Sequence, residues 1–338
     1  MKCCPECFGD RGLTKNIIPN FSTELGQCSY CQTADIALVE PIALQDSFEA
    51  LIHIYEADAD GRPLVAWLKE DWRLFDHLTM DESRAKDLLA AILDNGEIVR
   101  ETFSPSARFQ SDRLLRWEEL RNELKHKNRY FPEATLDFER FETLLAYLPA
   151  EELTTTWFRA RIQDGDTIYP MEEMGAPPER RASHGRANPP GIPYLYLGST
   201  PHTAISEIRP HTGERASVAE FRVPDDLKVV DLREPRKLVS PFLLGGEDDI
   251  GSMRVDIGFL ERLGEELTRP VLPSGAAIDY VPSQYLCEFI KKCGYDGVLY
   301  SSSVSEGVNL ALFDPQKAAV SAVRQMQVSQ VVVTVQEA

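Results

Sequence analysis

Five of the seven cysteines, Cys3, Cys4, Cys7, Cys28 and Cys31, fall in the first 31 residues, and only Cys287 and Cys293 lie elsewhere. Cys4-Pro5-Glu6-Cys7 and Cys28-Ser29-Tyr30-Cys31 form two C-x2-C knuckles with 20 residues between them. At that spacing four thiolates close a tetrahedron around Zn²⁺. A segment of about 30 residues buries too little apolar surface to fold alone, and a metal supplies the missing free energy. The pattern therefore predicts a structural zinc site held by Cys4, Cys7, Cys28 and Cys31, with no open coordination position for catalysis. Cys3 can stand in for Cys4 at a slightly different spacing. Two disulfides are the rival reading; without an export signal they are disfavoured, because cytosolic thiols stay reduced. Zinc ribbons also bind nucleic acid or protein, but no basic stripe accompanies this one, so a scaffold role leads.

Composition limits the rest. A chain of 338 residues has room for two domains at about 100 to 200 residues each. With 43% hydrophobic and 27% charged residues it reads as an ordinary folded protein rather than a disordered or low-complexity one. A formal charge of −18 opposes attraction to a phosphate backbone and argues against bulk nucleic-acid binding. Screening beyond about 8 to 10 Å still allows a local basic pocket for a small anion. No stretch reaches the roughly 18 apolar residues of a membrane span, and no apolar signal region follows Met1, so a cytoplasmic protein with no membrane partner is expected.

Beyond a knuckle over residues 1–40, residues 41–150 read as helical. Phe48, Leu51, Ile52 and Tyr55 recur at three and four, as do Leu88, Leu89, Ile92 and Leu93, with Asp81 placed as a cap before the second run. Trp117, Leu120 and Leu124 mark a further amphipathic helix, and a small all-α unit is expected. This helix carries Arg121-Asn122-Glu123-Leu124-Lys125-His126, which resembles the R-N-x-x-x-H motif of HEPN ribonucleases. Arg121 and His126 are about 140° apart around a helix, and exposed basic residues explain them more cheaply. From residue 151 to 338 the texture changes to short β-rich runs: Thr155 to Ile162, Tyr194 to Gly198, Val218 to Val223, Lys228 to Leu232, Gly297 to Ser301 and Asn309 to Phe313. Thr200-Pro201 reads as a cap with proline at the first helical position, and a second helix runs from Val281 to Lys292. Strands mixed with few helices predict an α+β fold rather than a doubly wound sheet.

The residues of this region can meet an anion, against the plainer alternatives of a solvated surface loop over residues 183–191 and a snorkelling surface carboxylate at Glu207. Arg159 and Arg161 alternate on one strand and so share a face. The polar, proline-rich stretch from Ser183 to Gly191 is an ordered loop in which Gly185 permits close backbone approach, Arg186 offers a forked donor, and Asn188 holds loop geometry or a sugar hydroxyl. Tyr196 sits on the next strand, Glu207 on the capped helix, and Ser301, Ser302 and Ser303 end a later strand. No H-E-x-x-H, G-x-S-x-G, Walker A or G-x-G-x-x-G motif occurs, so metalloprotease, α/β-hydrolase, P-loop and Rossmann chemistries lack their signatures.

From about Thr155 to Phe313 the chain resembles the RES family, whose known members are NAD-degrading toxins of toxin–antitoxin pairs. Phe158-Arg159-Ala160-Arg161 is similar to its aromatic-Arg start and Gly185-Arg186-Ala187-Asn188-Pro189-Pro190-Gly191 to its G-R-x-N-x-x-G loop. Tyr196 to Glu207 matches its Tyr followed by Glu eleven residues later, and Tyr300-Ser301-Ser302 its Y-x-S element. The front portion resembles the zinc-knuckle and helical segment found ahead of RES or HEPN domains. The resemblance implies a fold similar to ADP-ribosyltransferases and a cleft that takes NAD⁺ as substrate. It assigns Arg159, Glu207 and Ser302 as catalytic and Arg161, Arg186, Asn188, Tyr196 and Ser301 as NAD⁺-binding. Arg161 can replace Arg159, and Ser301 or Ser303 can replace Ser302, in that register. The implied activity is cleavage of the nicotinamide–ribose bond by hydrolysis or phosphorolysis in a toxin or defence effector, restrained by an antitoxin or regulatory protein. An ADP-ribosyltransferase acting on a macromolecule and a zinc-bearing interaction module without turnover are the alternatives.

Overall fold

The computed structural model describes residues 1–22, 24–272 and 274–332. Its contacts divide the chain into two compact units, Met1–Leu114 with Glu234–Phe259, and Leu115–Arg233 with Leu260–Ala338. This division differs from the boundary expected between residues 150 and 151, because residues 115–150 pack with the β-rich part of the chain.

The first unit begins with the cysteine knuckles, joined by antiparallel strands β1 (Glu24–Gly26) and β2 (Ile36–Leu38). Helices α1 (Gln45–Ile52), α2 (Leu64–Trp72) and α3 (Glu82–Leu93) follow. The Asp81 side chain caps α3 by accepting from the Arg84 amide at 2.9 Å, which satisfies one of the free donors of the first turn. A ring cluster forms the core, with Phe8 at 5.7 Å from both Phe48 and Phe75, and Phe48 at 4.9 Å from Phe242. The helical segment is not all-α as expected: β3 (Tyr55–Arg62) pairs antiparallel with β4 (Phe103–Pro105). Three acids and a glycine make Tyr-Glu-Ala-Asp-Ala-Asp-Gly-Arg a poor strand by propensity, and its pairing partner lies some 40 residues away (Ser104 Oγ donates to the Asp58 carboxylate across 46 residues).

The second unit adds α4 (Arg113–His126) and α5 (Phe138–Leu145) to a seven-stranded sheet. Its strands are β5 (Thr156–Ile162), β6 (Leu195–Gly198), β7 (Arg215–Arg222), β8 (Val229–Asp231), β9 (Gly297–Ser301), β10 (Val308–Leu312) and β11 (Ala319–Gln327), in the order β11-β7-β5-β6-β10-β9-β8. All neighbours run antiparallel except β8 and β9. The expected α+β class is the one observed. One face buries Trp157, Leu195, Leu197, Phe221 and Leu310. The other packs Ala160, Ala216 and Val218 against Ala204 of helix α6 (Pro201–Glu207). Helices α7 (Glu247–Thr268), whose residues from Leu260 onward belong to this unit, and α8 (Val281–Lys292) complete it. Strand β11 and helix α7 were not foreseen: β11 carries a mixed-polarity edge pattern, and α7 is interrupted in sequence by Gly251, Gly258 and Gly264. No described helix is long and apolar enough to cross a membrane.

One junction in the sheet creates the site. Strands β5 and β6 pair at a single position, Phe158 with Gly198, although they are neighbours. The ladder therefore leaves backbone groups at this junction open to partners other than the neighbouring strand.

Candidate active site

A cavity of about 320 Å³ lies against that junction, lined by Arg159, Tyr196, Glu207, Tyr280, Tyr300 and Asn309 among others. A second cavity of about 300 Å³ shares His184, Arg186, Glu207 and Tyr280 with the first and adds Arg209 and Ser303. Both are of the size that takes part of a small ligand.

Glu207 is placed by helix α6. Thr200 Oγ1 accepts from the Thr203 amide at 3.0 Å and Pro201 occupies the first turn, so the helix starts as the sequence indicates. Gly198 lets it approach the sheet closely, since a Cβ there would sit 2.8 Å from the Ala204 nitrogen. Glu207 ends the helix, where exposed carbonyls disfavour a carboxylate. Donors compensate: Ser302 Oγ donates to Glu207 Oε1 at 2.7 Å and Asn309 Nδ2 donates to the same oxygen at 2.6 Å. Ser302 Oγ is itself oriented by the amides of Val304 at 3.2 Å and Ser305 at 3.1 Å. Among the described residues nothing bonds Oε2 of the exposed Glu207, which leaves that oxygen for a ligand.

Arg159 fills the gap in the ladder. Its Nη1 donates to the Tyr196 carbonyl at 3.2 Å, while its Nε is buried without a partner. Burial first, and the neighbouring Arg161 cation second, lower the guanidinium to about 10, so it is still charged at neutral pH. No carboxylate pairs with it among the described residues, and a charge in this state favours an anionic ligand. Arg186 spans both cavities, with Nη1 donating to the Arg269 carbonyl at 2.7 Å, Nη2 to Ser303 Oγ at 3.2 Å, and its Cζ 5.4 Å from the Tyr280 ring centre.

The loop carrying Arg186 is organised from within. Tyr196 Oη donates to Asn188 Oδ1 at 2.7 Å and accepts from the amides of Ala187 at 2.9 Å and Asn188 at 3.2 Å. Burial pushes the Tyr196 phenol up, so it stays neutral and can donate. Asn188 Nδ2 donates to the carbonyls of Ser183, Pro189 and Ile192 at 2.9 to 3.0 Å. Gly185 covers this pair: a Cβ would fall 2.4 Å from both Asn188 Oδ1 and Tyr196 Oη. Gly185→Ala is expected to displace the loop and Arg186 with it, lowering kcat/KM on the order of 10²-fold chiefly through KM, measured by steady-state kinetics.

The sequence-assigned residues thus divide. Arg159, Arg186, Tyr196 and Glu207 line the cavity, and Ser302 reaches it through Glu207. Ser303 instead serves Arg186, and Ser301 does not line the cavities. Arg161 shares a face with Arg159 by alternation but turns to the Glu173 carbonyl and lies 4.7 Å over the Tyr169 ring. The Asn188 amide is committed to holding the loop, its Nδ2 shared among three loop carbonyls and its Oδ1 accepting from Tyr196 Oη. Asn309 opens a strand that the sequence does place after the Y-x-S element, but the sequence reading assigns it no site role; its signal is a lone amide, 4% exposed, in the otherwise apolar strand Val-Asn-Leu-Ala-Leu. Arg121 of the HEPN-like motif is ion-paired with Glu266 at 2.6 Å, and His126 is exposed at the end of α4, which accounts for both residues without a nuclease.

The first unit holds a separate candidate metal centre. The sulfurs of Cys4, Cys7, Cys28 and Cys31 all lie within 4.8 Å of one another, and all four residues are buried. The separations of 3.4 Å for Cys4–Cys31, 3.3 Å for Cys7–Cys28 and 4.0 Å for Cys4–Cys7 bracket the edge of about 3.8 Å expected for a tetrahedral Zn–S₄ site. Amides of Tyr30 and Cys31 point to Cys28 Sγ at 3.4 and 3.5 Å, as a thiolate requires. Cys3 lies outside the set, its Sγ facing the Val39 carbonyl at 3.6 Å. The donor set fits zinc.

Comparison with known proteins decides the family. A model described as RES domain matches residues 156–334, more than half of the chain. The chain belongs to the RES family. No curated protein matches it. Among solved structures, a chain from the M. tuberculosis MbcT–MbcA toxin–antitoxin complex is similar at 15% identity, with 56% of this chain and 93% of that chain covered and a TM-score of 0.33. Within the RES domain, the match begins at the first residue of β5 and takes in every residue that bonds Glu207.

Proposed function

We propose that the RES domain binds NAD⁺ and breaks its nicotinamide–ribose bond, and that the chain acts as a toxin or defence effector held in check by a partner protein. One observation carries the reading: a carboxylate with one oxygen held by Ser302 and Asn309 shares a cavity with a half-buried, carboxylate-free arginine.

The pyridinium of NAD⁺ leaves as neutral nicotinamide, taking the bond electrons, so no strong acid is needed and the ribose passes through an oxocarbenium-like state. Glu207 Oε2 would stabilise that cation or hold the ribose hydroxyls. Ser302 and Asn309 keep the carboxylate oriented through Oε1. Arg159 and Arg186 would neutralise the diphosphate, and Tyr196, Tyr280 and Tyr300 offer ring surface to the nicotinamide and ribose. Water as acceptor gives ADP-ribose and a proton; inorganic phosphate gives the 1-phosphate; a macromolecular nucleophile gives ADP-ribosylation. In the first unit the four-cysteine cluster is read as a structural Zn²⁺ site.

Mass analysis of the products formed from NAD⁺ with and without inorganic phosphate tests the reading. Free nicotinamide is expected in both, with the second product naming the acceptor. Intact NAD⁺ in both, with no binding in calorimetry, would favour a zinc-bearing interaction module instead.

A further inference from the structure

We propose that helix α4, through Arg121 and Lys125, positions Arg186 and Tyr280 at the substrate cavity, so that the functional catalytic unit begins near residue 115 and not at the start of the RES match. The proposal rests on the NAD⁺ reading for its kinetic arm only.

The contacts run in sequence from the helix to the cavity wall. Arg121 Nε lies 2.6 Å from Glu266 Oε1, and the Glu266 side chain is fully buried. Arg269 Nε meets the other oxygen of Glu266 at 3.3 Å. One turn along α4, Lys125 Nζ donates to Asp279 Oδ1 at 2.5 Å, and Arg269 Nη2 donates to the Asp279 carbonyl at 2.9 Å. Arg262 Nε also meets Glu118 of α4 at 2.7 Å. The Arg269 carbonyl then accepts from Arg186 Nη1 at 2.7 Å, and Tyr280, adjoining Asp279, lies beneath the Arg186 guanidinium.

A buried carboxylate between two guanidiniums is expensive to leave half paired, so removing Arg121 strands the Glu266 charge against Arg269 alone. The carbonyl that aims Arg186 belongs to that same Arg269. Spacing on α4 suits the task, because positions 121 and 125 are one turn apart and present both cations along one face. Residues 115–150 precede the RES match at 156, yet they pack in the same compact unit as the cavity. Arg121 and Lys125 line neither of the two cavities at the candidate site and are positioning residues.

The test uses the full chain. Arg121→Gln is expected to raise KM for NAD⁺ about tenfold with kcat within about twofold, and Arg121→Lys to recover most of the loss. Lys125→Met, whose ion pair is nearer the surface, is expected to raise KM about threefold and serves should Arg121→Gln fail to fold. Amide hydrogen exchange without substrate provides the second readout: residues 184–188 and 276–284 are expected to exchange about tenfold faster in the variants. Unchanged exchange in both segments, or faster exchange with an unchanged KM, overturns the positioning role. Wild-type protein inert toward NAD⁺ overturns the function proposed above, and the exchange measurement then decides alone whether α4 holds these segments.

Discussion

Glu207→Gln is expected to lower the rate of nicotinamide release by on the order of 10² to 10³-fold while leaving KM for NAD⁺ nearly unchanged. The substitution keeps an oxygen where Ser302 and Asn309 donate and replaces the unbonded Oε2 by an uncharged amide. It therefore removes the negative charge facing the developing oxocarbenium and little else. Because Glu207 is exposed, folding stability should change by no more than about 0.5 kcal/mol. Steady-state kinetics with a thermal melt reads both. A variant that releases nicotinamide at the wild-type rate would remove Glu207 from the chemistry and with it the mechanism proposed for this site.

Cys7→Ser is expected to abolish binding of one zinc ion per chain and to unfold the N-terminal unit. Elemental analysis reads the first effect and limited proteolysis within residues 1–114 the second. Four buried thiols whose sulfurs all lie within 4.8 Å of one another form the centre of the first 40 residues, and the metal's contribution, about 10 kcal/mol or more in small zinc modules, adds to the burial of Phe8, Leu13 and Ile18 and is comparable to the whole stability of a domain. Cys3→Ser is the control and should keep the metal, since Cys3 faces the Val39 carbonyl. A metal-free purified chain in which Cys7→Ser folds and melts like the wild type would end the zinc assignment.

Much of the architecture was legible because its signals are local. The Thr200-Pro201 cap, the Val281–Lys292 helix, the strand Gly297–Ser301 and the Asp81 cap each depend on a few adjacent residues whose backbone preferences the sequence displays directly. Strands β3 and β4 were hidden for the opposite reason: their pairing is non-local, and Glu, Asp and Gly obscure the alternation. The RES motifs likewise brought Arg159, Arg186, Tyr196, Glu207 and a group of adjacent serines into consideration without ordering them in space.

By itself, then, the amino-acid sequence determined the residue types at the site, the sulfur ligand spacing and most of the regular elements, since these follow from short-range periodicity and turn chemistry. The sequence already favours Ser302, Cys4 and Arg159 over their neighbours; only the tertiary structure sets Ser302 Oγ on Glu207, gathers Cys4 with the other three sulfurs, turns Arg159 to the Tyr196 carbonyl, and brings in Asn309 from 102 residues beyond Glu207. It also joined α4 to the β-rich unit through Arg121 and Lys125. Each of those choices turns on which strand or helix lies beside which. That is settled by the packing of a whole sheet and the pairing of buried charges, and no window of adjacent residues contains it.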